Sequence, residues 1–295
     1  TGFQNIITFD MGGTSCDVAL IKDGAPSLTG RGKIEGRDLA VPMMDINTVS
    51  AGGGTIARVD RLGVLAVGPQ SAGAIPGPAC YGKGSDDPVV TDANLVLGRI
   101  NGARFLNGAM SLDRAAAERA IEHKVGGRLR LGVAEAALGI VQIADSAMSL
   151  AVRAVSVKKG VDPRETAMIA FGGAGPLHAA ELAGDLRIPR VIVPEAPGLF
   201  SALGLLWADL RADFSRTARR PIGAATAGEL GTLLEGLETE AAGWLERERV
   251  PAAARSLLRT ADMRYPLQNY EINVPIPPGP IDAGWIKRCR EAFHA

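Results

Sequence analysis

The sequence contains 295 residues with 32 basic and 32 acidic side chains, so its formal net charge is zero. This balance argues against a nucleic-acid-binding surface, which needs a clustered basic excess, and the lack of an apolar run of 18 residues argues against a membrane span. The 46% of apolar residues can fill a large core, and the widely separated Cys16, Cys80 and Cys289 indicate reduced thiols in a cytoplasmic protein.

The first 24 residues predict two strands joined by a glycine turn. Residues 5–9 and 17–21 are rich in β-branched and apolar side chains, and two glycines lie between them in residues 10–15. The Lys-Asp-Gly sequence of residues 22–24 is typical of a hairpin turn.

A loop-rich region is predicted over residues 51–84. It contains three consecutive glycines at residues 52–54 and a hairpin around residues 59–67. The Gly- and Pro-rich residues 73–78 are incompatible with a regular helix or a central strand. A long loop of this kind is usually functional or packed at an interface, and a surface excursion is the alternative.

The second half of the sequence predicts helices and strands in alternation. Ser111 is expected to cap a helix over residues 112–124, and a long helical pattern follows over residues 132–159. A buried strand over residues 166–171 ends in a glycine turn, after which a helix over residues 177–186 is expected. The later predicted elements are a strand over 190–193, helices over 201–210 and 229–249, strands within 257–275 and a helix at the end.

A change of composition at residues 211–226 separates two regions of the chain. We expect an α/β domain over residues 1–210, with a loop-rich insertion at about residues 45–110. Residues 211–295 are expected to begin a small α+β subdomain. Both ends of the sequence resemble the interior of a longer polypeptide, so a fragment is expected.

The Gly-Gly turn between the first two predicted strands has the composition of a phosphate-binding turn. Gly12 and Gly13 let the backbone bend sharply and bring bare N–H groups against a phosphate. Thr14 and Ser15 add hydroxyl donors, and Asp10 at the strand end can hold Mg²⁺, which prefers carboxylate oxygens and water. A plain hairpin turn is the alternative.

A second glycine turn connects the predicted strand over residues 166–171 to a helix. Gly172, Gly173, Ala174 and Gly175 would let an adenosine ring or a phosphate lie against the backbone, near the positive end of the helix dipole. Such junctions are common, so this turn indicates a nucleotide site only because it accompanies the first one.

Other residues allow both a functional and a structural interpretation. The three glycines of residues 52–54 can form an anion-binding nest or permit close packing. Asp45 is a metal ligand, an acid–base group or a turn residue. Thr91 or Asp92 is expected to cap a helix, with a substrate role for Asp92 as the lesser alternative. His178 contacts nucleotide or makes a hydrogen bond at the helix end.

The order and spacing of several motifs resemble the A subunit of the hydantoinase/5-oxoprolinase family and its relative, the acetone carboxylase β subunit. The resemblance covers nearly the whole sequence. The motifs are FDMGGTS at residues 9–15, AGGGTIA at 51–57, VGPQSAG at 67–73, PGPACYG at 76–82, TDANLVLGR at 91–99, AFGGAGPLHA at 170–179, PGLFSALGLL at 197–206 and DMRY at 262–265.

This resemblance implies an actin-like ATPase fold of the ribonuclease H-like type, of which this sequence would be the second lobe. It implies ATP and Mg²⁺ as cofactors and ATP-dependent opening of a cyclic amide or imide, such as a hydantoin or 5-oxoproline, by phosphorylation of the carbonyl oxygen. The partner would be a B-type subunit. An isolated second lobe is expected to be inactive, because it holds half of the ATP cleft.

The resemblance leaves alternative functions open. An ATP-dependent ketone carboxylase subunit would use the same activation, and a non-catalytic nucleotide-binding module is a further alternative. Asn47 and Ile75 stand where the family usually has His and Asp, which weakens a substrate or metal role for that region. Within the enzyme hypothesis, Asp10 and Asp45 are the expected catalytic residues.

Overall fold

A computed structural model describes residues 2–29, 32–34, 37–39, 43–223, 226–276, 279 and 281–294. The chain divides into one unit over Thr1–Ala208 and a second over Asp209–Ala295.

The strands are short, and those of the first unit lie mainly in its N-terminal third. In chain order they are β1 (Ile6–Met11), β2 (Cys16–Lys22), β3 (Ala25–Pro26), β4 (Leu28–Thr29), β5 (Gly32–Ile34), β6 (Arg37–Leu39), β7 (Met43–Met44), β8 (Ile46–Val49), β9 (Thr55–Val59), β10 (Leu65–Ser71), β11 (Ala167–Phe171), β12 (Arg190–Ile192), β13 (Thr260–Met263) and β14 (Ile272–Pro275).

The helices follow the strand-rich segment. They are α1 (Val90–Val96), α2 (Arg114–Ile121), α3 (Gly127–Leu129), α4 (Val133–Val155), α5 (Gly175–Leu186), α6 (Phe200–Trp207), α7 (Ala227–Arg247) and α8 (Ala283–His294). A π-helical turn, Glu122–Gly126, joins α2 to α3.

A mixed sheet with the strand order β12-β11-β1-β2-β3 forms the centre of the first unit, and β8 also pairs with β2. β11 is parallel to β1 and β12, whereas β2 is antiparallel to β1 and β8. Because β1 and β11 are parallel neighbours, their carboxyl ends meet at the same edge, where Asp10 is the register partner of Phe171. The sheet therefore brings the two predicted glycine turns together.

The core of the first unit is formed by β1, β2 and the helices packed on them. Ile7, Phe9 and Met11 of β1 are buried, and α4 contacts β2, β8, α1 and α5. The segment Val133–Lys159 is long and apolar enough to cross a membrane, but half of its most apolar window is buried inside the structure. In this fold α4 is a core helix.

The sequence pattern predicted most of these elements correctly. The strand–turn–strand beginning, the hairpin after Lys22, the β9–β10 hairpin, the long helix α4 and the strand–turn–helix around α5 are confirmed. The mixed α/β fold is also confirmed. The predicted Ser111 cap is wrong, because α2 begins at Arg114 and Asp113 accepts a hydrogen bond from the Ala116 N–H at 2.9 Å.

The predicted helix start near Ala93 was wrong, because α1 begins at Val90 with Val89 at its N-cap. The expected capping role of Asp92 is confirmed in another form, since Asp92 accepts the N–H of the N-cap residue from the first turn. Asp92 lies inside the first turn and is fully buried. Its carboxylate accepts the N–H groups of Val89 at 3.0 Å, Ala79 at 3.1 Å and Cys80 at 2.8 Å. These bonds tie the loop before α1 to the helix and exclude contact between Asp92 and a substrate.

The second unit contains the amphipathic helix α7, the β13–β14 hairpin and α8. Trp285, Ile286 and Cys289 of α8 form its small core, against which Leu230 and Leu234 of α7 pack. The predicted helix and strands of this region are confirmed.

Candidate functional site

The turn between β1 and β2 carries two backbone donors that no group of the described residues accepts. The Gly12 N–H donates to the Ser15 carbonyl at 3.0 Å and closes the turn, and Gly13 and Thr14 at its tip are exposed. Among the described residues, the N–H groups of Gly13 and Thr14 have no protein acceptor. Two adjacent unpaired N–H groups on an exposed turn are suited to a phosphate.

The three glycines of residues 52–54 support this turn from behind and are buried. The Gly53 and Gly54 N–H groups donate to the Gly12 and Gly13 carbonyls at 3.0 and 2.6 Å. A Cβ atom on Gly52 would lie 2.5 Å from the Thr14 nitrogen. The Gly52 N–H donates to Thr55 Oγ1 at 2.7 Å, so all three donors are used within the protein. Close packing is therefore the correct interpretation, and an anion-binding nest is excluded.

The second glycine turn lies directly beside Asp10. Gly172 has a φ of +81°, and a Cβ atom there would lie 2.4 Å from Asp10 Oδ1, so both the backbone conformation and the space require glycine. The Ala174 N–H donates to the Met11 carbonyl at 2.9 Å. Gly173 is exposed, and its N–H has no protein acceptor among the described residues. α5 begins at Gly175, so its N-terminus points toward the same edge of the sheet.

Ser201 completes the surroundings of Asp10 and was not predicted as a site residue. Its hydroxyl donates to Asp10 Oδ2 at 2.9 Å. α6, which carries Ser201, is held against this edge by a contact of Phe200 with Phe171 at 5.1 Å between ring centroids, and by the Gly172 N–H, which donates to Pro197. The Pro-Gly-Leu-Phe-Ser motif contained the signal, but no local pattern linked it to Asp10.

Asp17 is a second carboxylate that the sequence analysis missed. It is the register partner of Asp10 in the antiparallel β1–β2 pair, so the two side chains lie on the same face of the sheet. Thr48 of β8 donates its hydroxyl to Asp17 Oδ1. Neither Asp10 nor Asp17 has an ion-pair partner among the described residues.

The structure does not bring Asp45 to the turns. Val49 of β8 is the register partner of Cys16 next to the first turn, and Asp45 lies four residues away from Val49, or about 13 Å along the strand. Its carboxylate forms an ion pair with Lys159. This contact joins the residue before β8 to the 3-10 turn that follows α4.

His178 is fully buried one turn into α5, so its side chain does not face a nucleotide at the surface. Its Nδ1 lies 2.6 Å from Asp145 Oδ1, and its Nε2 lies 3.1 Å from Asn94 Nδ2. The prediction of a hydrogen bond is therefore confirmed, but the partners lie on two other helices and not at the end of α5.

The cysteine beside the site is not a nucleophile. Burial, followed by the charges of Asp17 and Asp10, raises the pKa of the Cys16 thiol far above its ordinary value of 9.0. Burial and the Asp92 carboxylate do the same for the pKa of Cys80. Both thiols stay protonated near neutral pH, so neither supplies a thiolate.

Asp10 and Asp17 have the donor chemistry that a magnesium ion requires. Mg²⁺ is usually bound through one or two carboxylates, with water and substrate phosphates as its other ligands. In the described part of the chain, no group of three or more His, Cys, Asp or Glu side chains could hold a metal ion by itself. The residues present therefore fit a magnesium ion that arrives with phosphates.

The two turns lie at an open edge of the sheet, where Gly13, Thr14 and Gly173 are exposed. A cavity of about 590 Å³ lies beside α2 and is lined by Glu118, Arg119, Glu122, His123 and Val133. None of these residues belongs to the turns. We assign the site to the turns because they combine free N–H donors with carboxylates, which the cavity beside α2 lacks in this combination.

Comparison with known proteins places the chain in a family. Residues 1–214 match the family described as Hydantoinase/oxoprolinase. The crystal structure of the ATP-dependent caprolactamase from Pseudomonas jessenii matches with a TM-score of 0.76 and 34% identity, over 99% of this chain and 43% of that one. A nucleotide-free structure of acetone carboxylase, from work on ATP-dependent acetone carboxylation, matches with a TM-score of 0.82 and 29% identity, over 99% and 42%.

A further relative is the acetophenone carboxylase gamma subunit of Aromatoleum aromaticum, which is 43% identical over 69% of this chain and 28% of its own length. The chain thus spans less than half the length of these relatives. The matches confirm the resemblance that the motifs indicated, and the chain belongs to the hydantoinase/oxoprolinase family.

Proposed function

We propose that the chain supplies one side of an ATP site in an enzyme that opens a cyclic amide or imide of the hydantoin or 5-oxoproline type. One observation carries this proposal: Asp10 lies between the turn at Gly172 and the exposed residues Gly13 and Thr14, whose N–H groups have no acceptor among the described residues. Two related solved proteins are described as ATP-dependent, which supports ATP as the ligand of these turns.

In the proposed reaction the γ-phosphoryl group passes from ATP to the carbonyl oxygen of the ring amide, and ADP leaves. Water then adds to the carbon, the C–N bond breaks as the ring nitrogen takes up a proton, and the ring opens to an acyl phosphate. A second water hydrolyses the acyl phosphate to a carboxylate and free phosphate. The chain's residues bind and orient the phosphates through the Gly13 and Thr14 N–H groups and the Thr14 and Ser15 hydroxyls. A magnesium ion held by Asp10 and Asp17 would neutralise phosphate charge.

The adenosine side of the site is assigned to the second turn. Gly173 is exposed beside the N-terminus of α5, and Gly172, Ala174 and Gly175 set the path of the backbone. A flat ring can lie against a backbone without side chains. Because Gly172 lies beside Asp10, a nucleotide that binds both turns would pass next to the Asp10 carboxylate.

The proposed fold is one lobe of an actin-like ATPase, in which a second lobe would close the cleft. Parallel and antiparallel strands in one sheet, with a glycine turn at the hairpin between β1 and β2, support this assignment. Two solved relatives are more than twice the length of the matched region. The open edge at the turns is suited to cover by a further lobe and by a B-type partner subunit, so the isolated chain is expected to be inactive.

A ketone carboxylase subunit is a second candidate function. The acetophenone carboxylase gamma subunit is 43% identical to the matched part of the chain, which favours this alternative. The chemistry of the turns would be the same, with a ketone and bicarbonate as substrates. Asn47, which pairs with Val18 in the sheet, and Ile75, which is 84% exposed, do not distinguish the two activities.

ATP binding to the purified chain, measured by isothermal titration calorimetry with Mg²⁺, tests the site. Asp10→Asn should weaken binding about tenfold or more, because a charged ligand interaction is worth about 1.5–3 kcal/mol. Asp185→Asn is the matched control, since Asp185 lies ten residues from the start of α5, about 15 Å from the turn. Equal binding by both variants would contradict the assignment of Asp10.

The reaction is tested with the longer polypeptide and a B-type subunit. ADP release should be stimulated by hydantoin or 5-oxoproline and not by acetone or acetophenone with bicarbonate. The reverse pattern would establish the carboxylase, and ATP binding without stimulated turnover would establish a non-catalytic module.

A further inference from the structure

The short helix α1 makes polar contacts in two directions. Toward the first turn, the Thr91 N–H and the Thr91 hydroxyl both donate to the Gly53 carbonyl, at 2.7 and 2.8 Å. The Gly53 N–H in turn donates to the Gly12 carbonyl at 3.0 Å. Thr91 thus holds the rear of the phosphate-binding turn through one intervening residue.

Toward the second turn, α1 contacts α5 through a buried polar chain. Asn94 lies three positions after Thr91 and so is close to the same face of α1. Its Nδ2 donates to His178 Nε2 at 3.1 Å, which places the ring proton on Nδ1, where it donates to Asp145 Oδ1 at 2.6 Å. His178 lies three residues after Gly175, so these two hydrogen bonds fix the first turn of α5 to α1 and α4.

Burial of the three polar side chains Asn94, His178 and Asp145 costs free energy, and apolar side chains at these positions would also hold the helices together. Asn94 and His178 are almost completely buried, and Asp145 is 6% exposed. Asn94 Oδ1 has no hydrogen-bond partner among the described residues, and a buried polar atom left without a partner costs about 1–3 kcal/mol. What hydrogen bonds add over apolar contacts is direction, because they fix the rotation and the distance of the groups that they join.

The two turns are already joined on their inner side, where the Ala174 N–H donates to Met11 and Gly172 contacts Asp10. α1 adds a second connection between the two turns, because Thr91 binds Gly53 behind the first turn and Asn94 binds His178 behind the second. A turn held on one side only can rotate about that contact, whereas contacts on both sides fix its orientation.

We infer that α1 is a bracket that fixes the two glycine turns relative to each other, with Thr91, Asn94, His178 and Asp145 as positioning residues. The inference rests on the proposed function for its purpose, which is to hold both turns at the spacing of one nucleotide. The mechanical coupling itself is independent of that function.

If α1 is a bracket, a substitution that breaks its contact with one turn should also change the other turn. A residue that stabilises only its own turn would have no such effect. Asn94→Leu keeps the volume of the side chain but removes its hydrogen bond to His178, and Asn94 makes no hydrogen bond to the first turn. Hydrogen–deuterium exchange without nucleotide should nevertheless become about fivefold faster in residues 10–15, as well as in residues 172–178. Thr91→Val should speed exchange in residues 172–178 in the same way.

Three variants separate the bracket from general loosening of the structure. Val96→Ala removes buried apolar volume from the same helix without touching Gly53 or His178, and its exchange in both turns should stay within twofold of the wild type. Asp145→Asn keeps an oxygen that accepts the His178 Nδ1–H and should behave as the wild type, whereas Asp145→Leu should behave as Asn94→Leu.

Exchange confined to the nearer turn in Asn94→Leu and Thr91→Val, or equal acceleration in Val96→Ala, would overturn the bracket. If Asn94→Leu does not fold, Thr91→Val is compared with Thr91→Ser, which keeps the hydroxyl that valine lacks. ATP affinity is measured in parallel. Coupled exchange without ATP binding by the wild type retains the bracket and rejects the proposed function, and ATP binding with uncoupled exchange rejects the bracket alone.

Discussion

Asp10 and Asp17 lie directly opposite each other on adjacent antiparallel strands, with both side chains on one face of the sheet. Like charges in facing positions destabilise a sheet by about 0.2–1 kcal/mol. Ser201 and Thr48 each donate a hydroxyl hydrogen bond to one of these carboxylates, but no cation of the described residues pairs with either one. The arrangement therefore favours an added cation, which magnesium with ATP would provide.

Replacement of Asp17 by Asn should separate stability from metal binding. Asp17→Asn removes the like-charge repulsion while an amide oxygen still accepts the Thr48 hydroxyl. The free energy of unfolding without metal should rise by about 0.2–1 kcal/mol, and the dependence of ATP affinity on Mg²⁺ should weaken. Urea unfolding and calorimetry at several Mg²⁺ concentrations measure the two effects.

Asp185→Asn is again the control, since it makes the same charge change away from the pair. It should leave the Mg²⁺ dependence unchanged. A less stable Asp17→Asn protein with an unchanged Mg²⁺ dependence would contradict a shared cation site.

The buried Gly52 should tolerate no side chain. A Cβ atom there would meet the Thr14 backbone at 2.5 Å, so the backbone that carries the free N–H groups must move. Overpacking of this kind costs typically about 1–3 kcal/mol. Gly52→Ala should therefore destabilise the first unit and weaken ATP binding, as urea unfolding and calorimetry would show.

Gly184→Ala provides the comparison for this substitution. Gly184 lies on the exposed side of α5, and nothing lies within 4 Å of an added Cβ atom. Alanine there should stabilise the helix by up to about 1 kcal/mol. Equal effects of the two substitutions would show that Gly52 is not needed for close packing.

The parts of this structure that the sequence predicted are those with a local physical signal. β1, β2, α4 and α5 follow from hydrophobic periodicity over a few turns or strand pairs. Gly172 could be assigned to a turn, because glycine at a strand–helix junction has a local reason. The start of α2 could not be predicted in this way, since Asp113 and Ser111 are both acceptable caps and only tertiary contacts choose between them.

Contacts between distant segments could not be predicted in this way. Ser201 reaches Asp10 across 191 positions of the chain, and Asp17 became part of the site only through the β1–β2 register. The three glycines at residues 52–54 fitted a nest and close packing equally, because composition does not show which backbone approaches which. The same holds for His178, whose partners lie on α1 and α4.

Asp92 should contribute strongly to stability through its three backbone hydrogen bonds. Asn has one acceptor oxygen and would turn an NH₂ group toward the N–H of Val89, Ala79 or Cys80. A buried donor without an acceptor costs about 1–3 kcal/mol, so Asp92→Asn should lower the free energy of unfolding by at least that amount. Asp113→Asn is the matched control, because Asn caps a helix as well as Asp; a comparable loss in both would contradict the role of Asp92.

The Cys16 thiol should make the stability of the first unit fall at high pH. Its pKa in the folded protein lies far above the ordinary value of 9.0, because burial and then Asp17 and Asp10 disfavour the thiolate. Above pH 9 the unfolded chain loses the proton while the folded chain keeps it. The unfolded state is then favoured by about 1.4 kcal/mol per pH unit for each such thiol.

The stability that depends on the protonated Cys16 thiol is therefore fully present below pH 9. It is lost as the pH rises from 9 toward the pKa of the thiol in the folded state. Comparison of the wild type with Cys16→Ala isolates it from lysine and tyrosine titration, which both proteins share. The alanine variant leaves a small cavity and should be the less stable protein at pH 8. Urea unfolding at pH 8, 9, 10 and 10.5 should show the difference shrinking above pH 9. A constant difference would mean that the Cys16 thiol ionises as readily in the folded protein as in the unfolded chain, and a growing difference would mean that it ionises more readily when folded.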